Sequence, residues 1–115
     1  MDIAVETLDQ DTARIFLTGR LDISGSQEIE VRFAAAAAAR RFLVVDLSGV
    51  GFLASIGVRT LFSKAKMMQG RGGRMVITAP QANVAHVLEL TGVPQLISIF
   101  PDLDAARAHL AALAV

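Results

Sequence analysis

Ile3, Val5 and Thr7 alternate with polar neighbours, and Ala13, Ile15 and Leu17 do the same after the polar run Asp9-Gln10-Asp11. A period of two predicts two strands joined as a hairpin, each with one buried face. Gly19 ends the second strand, and the period then changes. Ser24 and Gln27 have capping-box spacing, and Ile29, Phe33 and Ala36/Ala37 recur on one face of the predicted helix that follows. The alanines of Ala34–Ala39 are strong helix formers and need no other role. Phe42 to Val45 is an unbroken apolar run ending at Asp46. A strand covered on both faces reads that way, which predicts a central parallel position.

From about Ser55 the helical period returns, with Val58, Leu61, Phe62, Ala65 and Met68 as the inward stripe. The glycine-rich stretch Gln69–Gly73 stops this helix ahead of a strand, Met75-Val76-Ile77. Pro80 is expected to start the next helix, with Val84, Val87 and Leu88 buried and Gly92 at its end. A short strand is predicted at Ile97–Phe100. Pro101 and Asp102 open a last helix with Leu103, Ala106, Leu110 and Leu113 inward. A hairpin followed by alternating helices and strands predicts one α/β domain over residues 1–115, with a mixed β-sheet (hairpin plus parallel strands) packed by about four helices. No internal repeat and no linker interrupts it.

Composition narrows the chemistry. The chain has 115 residues and no cysteine, which excludes a disulfide framework and a thiolate metal site. Two histidines, His86 and His109, are too few for a zinc site without carboxylates, so no metal and no cofactor is expected. The N-terminus is acidic and alternating, unlike a signal peptide. No run approaches the ~20 apolar residues of a membrane span. A cytoplasmic protein is the expectation.

Charge sums to zero, with 11 basic and 11 acidic residues, but it is unevenly spread. Between Asp46 and Glu89 there is no acidic residue, while Arg59, Lys64, Lys66, Arg71 and Arg74 fall in that interval. A basic segment can steer an acidic partner or favour a phosphate, and it can equally be a solvated helix face. All six aromatics are Phe, mostly at core spacings, so direct nucleic-acid binding is not expected.

One hydroxyl stands out, Ser55, between the apolar run and the start of a helix. Residues beyond the carboxyl ends of strands are where sites gather in such sheets. As an N-cap, Ser55 contributes about 1 kcal/mol and nothing more. As a nucleophile, it would need a glycine where Leu53 stands; the order Ser55, Asp102 or Asp104, His109 matches a hydrolase triad, yet both partners fall on one predicted helix. As a phosphorylation site, it would carry about −1.5 to −2 charges at a helix start that tolerates them, so the effect would fall on a partner. Gly70–Gly73 lacks the lysine and spacing of a P-loop and reads as a turn. The strand ending at Asp46 is expected to run into a loop that delivers Ser55 to the helix start, and Ser48 in that loop is expected to satisfy backbone groups there.

The stretch DLSGVGFLASIGVRTL, Asp46 to Leu61, resembles the signature of STAS domains, specifically the anti-sigma factor antagonists. LTGRLD at Leu17–Asp22, GRGGRMVITAP at Gly70–Pro80 and LELTGVPQLISIFPD at Leu88–Asp102 extend the resemblance over nearly the whole chain. It implies binding without catalysis. An anti-sigma factor that is a serine kinase would be captured while Ser55 is unmodified and released once that kinase phosphorylates Ser55 with ATP, and a phosphatase would reset the switch. Asp22 matches an acidic position near the phosphoserine, and Gly57 the glycine that follows it. Ala54 stands where one branch of the family has aspartate, and Ile56 where it has a second serine or threonine. The rival reading is a constitutive STAS accessory subunit of a lipid-transporting ABC system, or a scaffold component.

On the helix after Ser55, the face opposite the core carries Ile56, Thr60, Ser63 and Met67, an expected docking patch. Arg59, one turn after Ser55, can meet a partner carboxylate or the phosphate. Asp22, Ser55, Ile56, Gly57, Arg59, Thr60, Ser63 and Met67 are the expected partner-binding residues. His86 and His109 read as surface residues.

Overall fold

The computed structural model describes residues 1–114. Its elements run β1 (Asp2–Thr7), β2 (Thr12–Leu21), α1 (Ile23–Ala39), β3 (Phe42–Leu53), α2 (Ser55–Gly70), β4 (Arg74–Thr78), α3 (Ala82–Leu90), a 3-10 turn (Val93–Gln95), β5 (Ile99–Phe100) and α4 (Leu103–Leu113). The five strands form one sheet in sequence order; β1 and β2 are antiparallel and every later pair is parallel. The single mixed α/β domain with four helices is the expected architecture.

Side-chain alternation assigns the helices to two faces. Leu43 and Val45 of β3, with Met75 and Ile77 of β4, share a core with Ile29 and Phe33 of α1, Leu61 and Met68 of α2, and Val84 and Leu88 of α3. The intervening residues Phe42, Val44 and Val76 point the other way and pack on Ala106 and Leu110 of α4. Three successive crossovers on one face are the outcome expected when strands are laid down in sequence order with right-handed connections. Phe42 to Val45 are all buried because helices cover both sides, as the unbroken apolar run requires. Beyond Asp46 the α4 face is uncovered, and polar Ser48 and exposed Phe52 appear.

Several local expectations are corrected. Strand β3 does not give way to a loop at Asp46; it continues to Leu53, paired with β2 as far as Leu21 through two register shifts. The α1 cap is Asp22, whose Oδ1 accepts the Gly25 N–H at 2.8 Å, rather than Ser24. Helix α3 starts at Ala82 and not at Pro80, after Ala79 takes a left-handed φ of 54°. Strand β5 holds two residues, and Ile97 is buried just after the 3-10 turn. In β1 only Ile3 is buried, and Val5 is 48% exposed. Among the described residues, no helix is long and apolar enough to cross a membrane.

Candidate functional site

Two helix starts meet at the end of β2. The Leu21 carbonyl accepts the Ala54 N–H at 3.1 Å, which brings the end of β3 alongside the residue that precedes Asp22. Helix α2 then leaves the sheet with its third residue, Gly57, pressed against β2: a Cβ there would lie 2.7 Å from Leu21 Cγ and 2.8 Å from Leu53 Cδ1. Only glycine allows that approach. Gly57 is buried, so it is a packing residue of the helix start and not part of a partner surface.

Ser55 is the first residue of α2, and the N-cap position belongs to Ala54, which offers no side-chain hydrogen bond. The capping reading of Ser55 therefore fails. The hydroxyl is on an exposed residue and bonds to none of the described residues. Asp22, next door, is already engaged: its Oδ1 caps α1 and its Oδ2 lies 3.4 Å from Arg20 Nε. The Gly25 N–H, aided by Arg20, holds the Asp22 carboxyl below the usual carboxylate range. The Arg20 guanidinium in turn lies 4.1 Å above the Phe52 ring.

The outward face of α2 is assembled as the periodicity implied. Ile56 and Thr60 are half-buried, and Arg59, Ser63 and Met67 are exposed. The Thr60 hydroxyl donates back to the Ile56 carbonyl at 3.0 Å, which commits its proton within the helix. Between α1 and α2 runs an open groove of about 550 Å³ lined by Ile23, Ser26, Gln27, Glu30, Ile56 and Thr60. The α1 side of this groove was missed from the sequence. Its one signal was Ile23, an isoleucine directly after a capping aspartate and off the inward stripe; it is 64% exposed.

The basic interval does not form a patch. Lys64 is buried and bonds both Glu30 oxygens, at 2.6 and 2.8 Å, across from α2 to α1. Arg71 donates to the carbonyls of Ala37 and Arg40. On α2 this leaves Arg59 and Lys66 as exposed cations. The hydrolase order is not assembled either: His109 packs on Phe100 with the rings tilted and their centroids 5.1 Å apart, on the α4 face, whereas Ser55 heads a helix of the opposite face. Among the described residues no three His, Asp or Glu side chains converge on a possible metal position. Ser48 lies within β3, and its N–H and hydroxyl both donate to the Asp46 carboxylate, so the hydroxyl serves a side chain and not the backbone groups expected of it. His86 is exposed on α3.

The STAS domain family model matches residues 3–106. A candidate anti-sigma factor antagonist of Bordetella bronchiseptica, BtrV, is 28% identical over 97 residues, 84% of this chain and 81% of the relative. Among solved structures, an anti-sigma factor antagonist from Mycobacterium paratuberculosis is 26% identical with a TM-score of 0.85, covering 99% of this chain and 94% of that one. Unphosphorylated SpoIIAA, the Bacillus anti-sigma factor antagonist, has a TM-score of 0.80 at 18% identity, over 96% of this chain and 97% of its own. The same fold serves as the STAS domain of a SulP transporter from Vibrio cholerae, with a TM-score of 0.71 at 21% identity, over 92% of this chain and 88% of that one. The chain belongs to the STAS domain family.

Proposed function

We propose that this protein is an anti-sigma factor antagonist that holds a serine-kinase anti-sigma factor while Ser55 is unmodified and releases it when that kinase phosphorylates Ser55 with ATP. In this reading it acts in the cytoplasm, and a phosphatase restores the binding form. The observation that carries the reading is the placement of Ser55. It is an exposed hydroxyl on the first turn of α2, used neither as a cap nor in any bond to the described residues. Such a group can gain a dianion without disturbing the core beneath it, so the cost of modification falls on whatever docks over it. The neighbouring surface suits docking: Ile56, Thr60, Ser63 and Met67 give a modestly apolar strip, and Arg59 a charge. The likeness to BtrV and to the Mycobacterium antagonist supports the role.

The test uses the native host's anti-sigma kinase in a binding titration. Ser55→Ala should bind as the native chain does and resist release by ATP, while Ser55→Asp should bind at least ten-fold more weakly. Equal affinity of the two variants sinks the switch.

A further inference from the structure

A phosphate on Ser55 would place about −1.5 to −2 charges at neutral pH on the first residue of α2. The cations of this chain near that point are mostly committed. Arg20 lies over Phe52 with its Nε near Asp22. Lys64 is buried against Glu30, and Arg71 is spent on two carbonyls. Arg74 begins β4, and so lies at the other end of the sheet. Lys66 is eleven residues along α2, about 16 Å down the helix axis. Arg59 is different. It stands four residues after Ser55 on the same helix, it is exposed, and it is in none of the ion pairs among the described residues. Helix α2 contains no Asp or Glu, so no acid on its own element competes for that guanidinium.

We propose that Arg59 is the counter-charge for a phosphate carried by Ser55, closing an intrahelical clamp over the first turn of α2. The inference rests on the reading of Ser55 as the modified residue and adds what receives the new charge. Side chains four apart on a helix have Cβ atoms about 5–6 Å apart, within reach of an arginine fork, and the anion-first order is the favourable one. A guanidinium meets phosphate oxygens through paired N–H donors, which suits arginine better than lysine here. Modification then does two things to the docking face at once: it adds an anion and withdraws the Arg59 cation. A partner that reads Arg59 with a carboxylate loses that contact, while the domain itself keeps its fold.

The clamp is testable without kinase or partner. Phosphoserine is installed at position 55 during synthesis, and the phosphate is titrated by phosphorus NMR in the full chain and in Arg59→Gln, Arg59→Lys and Lys66→Gln. The second ionisation should be lower in the native chain than in Arg59→Gln by roughly 0.15–0.4 pH units, the size expected of an intrahelical ion pair. Arg59→Lys should recover part of the difference, Lys66→Gln should leave it in place, and salt of about 1 M should erase it. Identical titration in the native chain and Arg59→Gln overturns the clamp. So does an equal shift in Lys66→Gln, which would mean a diffuse field instead of one partner. Because the phosphate is placed chemically, a negative result leaves the kinase reading intact. Failure of the host to modify Ser55 likewise leaves the titration intact.

Discussion

Helices α1 and α2 begin side by side against the same strand end, yet they begin differently. Each has a buried glycine as its third residue, Gly25 and Gly57, because the backbone of Arg20 and Leu21 leaves no room for a side chain. Sterically the two starts obey one rule. Chemically they diverge: α1 is closed by the Asp22 carboxylate on the Gly25 N–H, whereas α2 follows an alanine that closes nothing. A polar cap is worth about 1 kcal/mol, and α2 forgoes it. One residue further on stands a hydroxyl that bonds to no described residue. The open start of α2 is the departure from structural need, and so the place to look for function.

The largest effect expected from breaking the shared rule is at Gly57. Gly57→Val would drive carbon atoms into Leu21 and Leu53 and should lose about 2–3 kcal/mol, read from the urea midpoint by circular dichroism. A loss below about 1 kcal/mol would show that α2 is not pressed on β2 as described.

Removing the α1 cap should cost less. Asp22→Ala is expected to lower Tm by roughly 5 °C. The Asp22 carboxyl lies below its ordinary value in the folded chain because the Gly25 N–H favours the charged form. Its contribution is therefore complete above the unfolded carboxylate pKa, near pH 4, and is lost as pH falls through the lower folded value. The native chain should weaken over that acid window, and Asp22→Ala should weaken less. The two would have to run parallel to refute the cap.

Supplying the missing cap should sharpen the contrast from the other side. Ala54→Asp gives α2 what α1 has and should add about 0.5–1 kcal/mol. The smallest effect is at the hydroxyl itself. Ser55→Ala should shift stability by no more than about 0.5 kcal/mol, because no bond is broken. A loss near 1 kcal/mol in that variant would mean that Ser55 caps the helix after all.

Much of the scaffold was legible because it is periodic. The stripe Val58, Leu61, Ala65, Met68 was readable and is buried, and Asp102 caps α4 through the Ala105 N–H as its position before Leu103 and Ala106 suggested. Less legible were the points where two local signals compete. Ser24 and Asp22 both had the chemistry to start α1, and the approach of Gly25 to the Arg20 carbonyl favours the earlier start. The basic interval misled for a similar reason. Lys64 reads as a surface charge until Glu30, on another helix, is found beside it. The expected docking face of α2 was visible, but the groove it shares with Ile23 and Gln27 of α1 was not.

By itself the chain's order of residues determined which segments are helix and which strand, and that a serine stands where the central strand gives way to the next helix. Those properties depend on neighbours a few positions away, through backbone sterics and the period of the apolar residues. The fold alone decided that β3 runs on to Leu53, that Gly57 is packing rather than surface, and that Arg59, unlike Lys64 on the same helix, is left exposed and outside the ion pairs among the described residues. Each of these depends on atoms distant in sequence, the Leu21 carbonyl, the Leu21 and Leu53 side chains and the Glu30 carboxylate, and on which charges they have already satisfied.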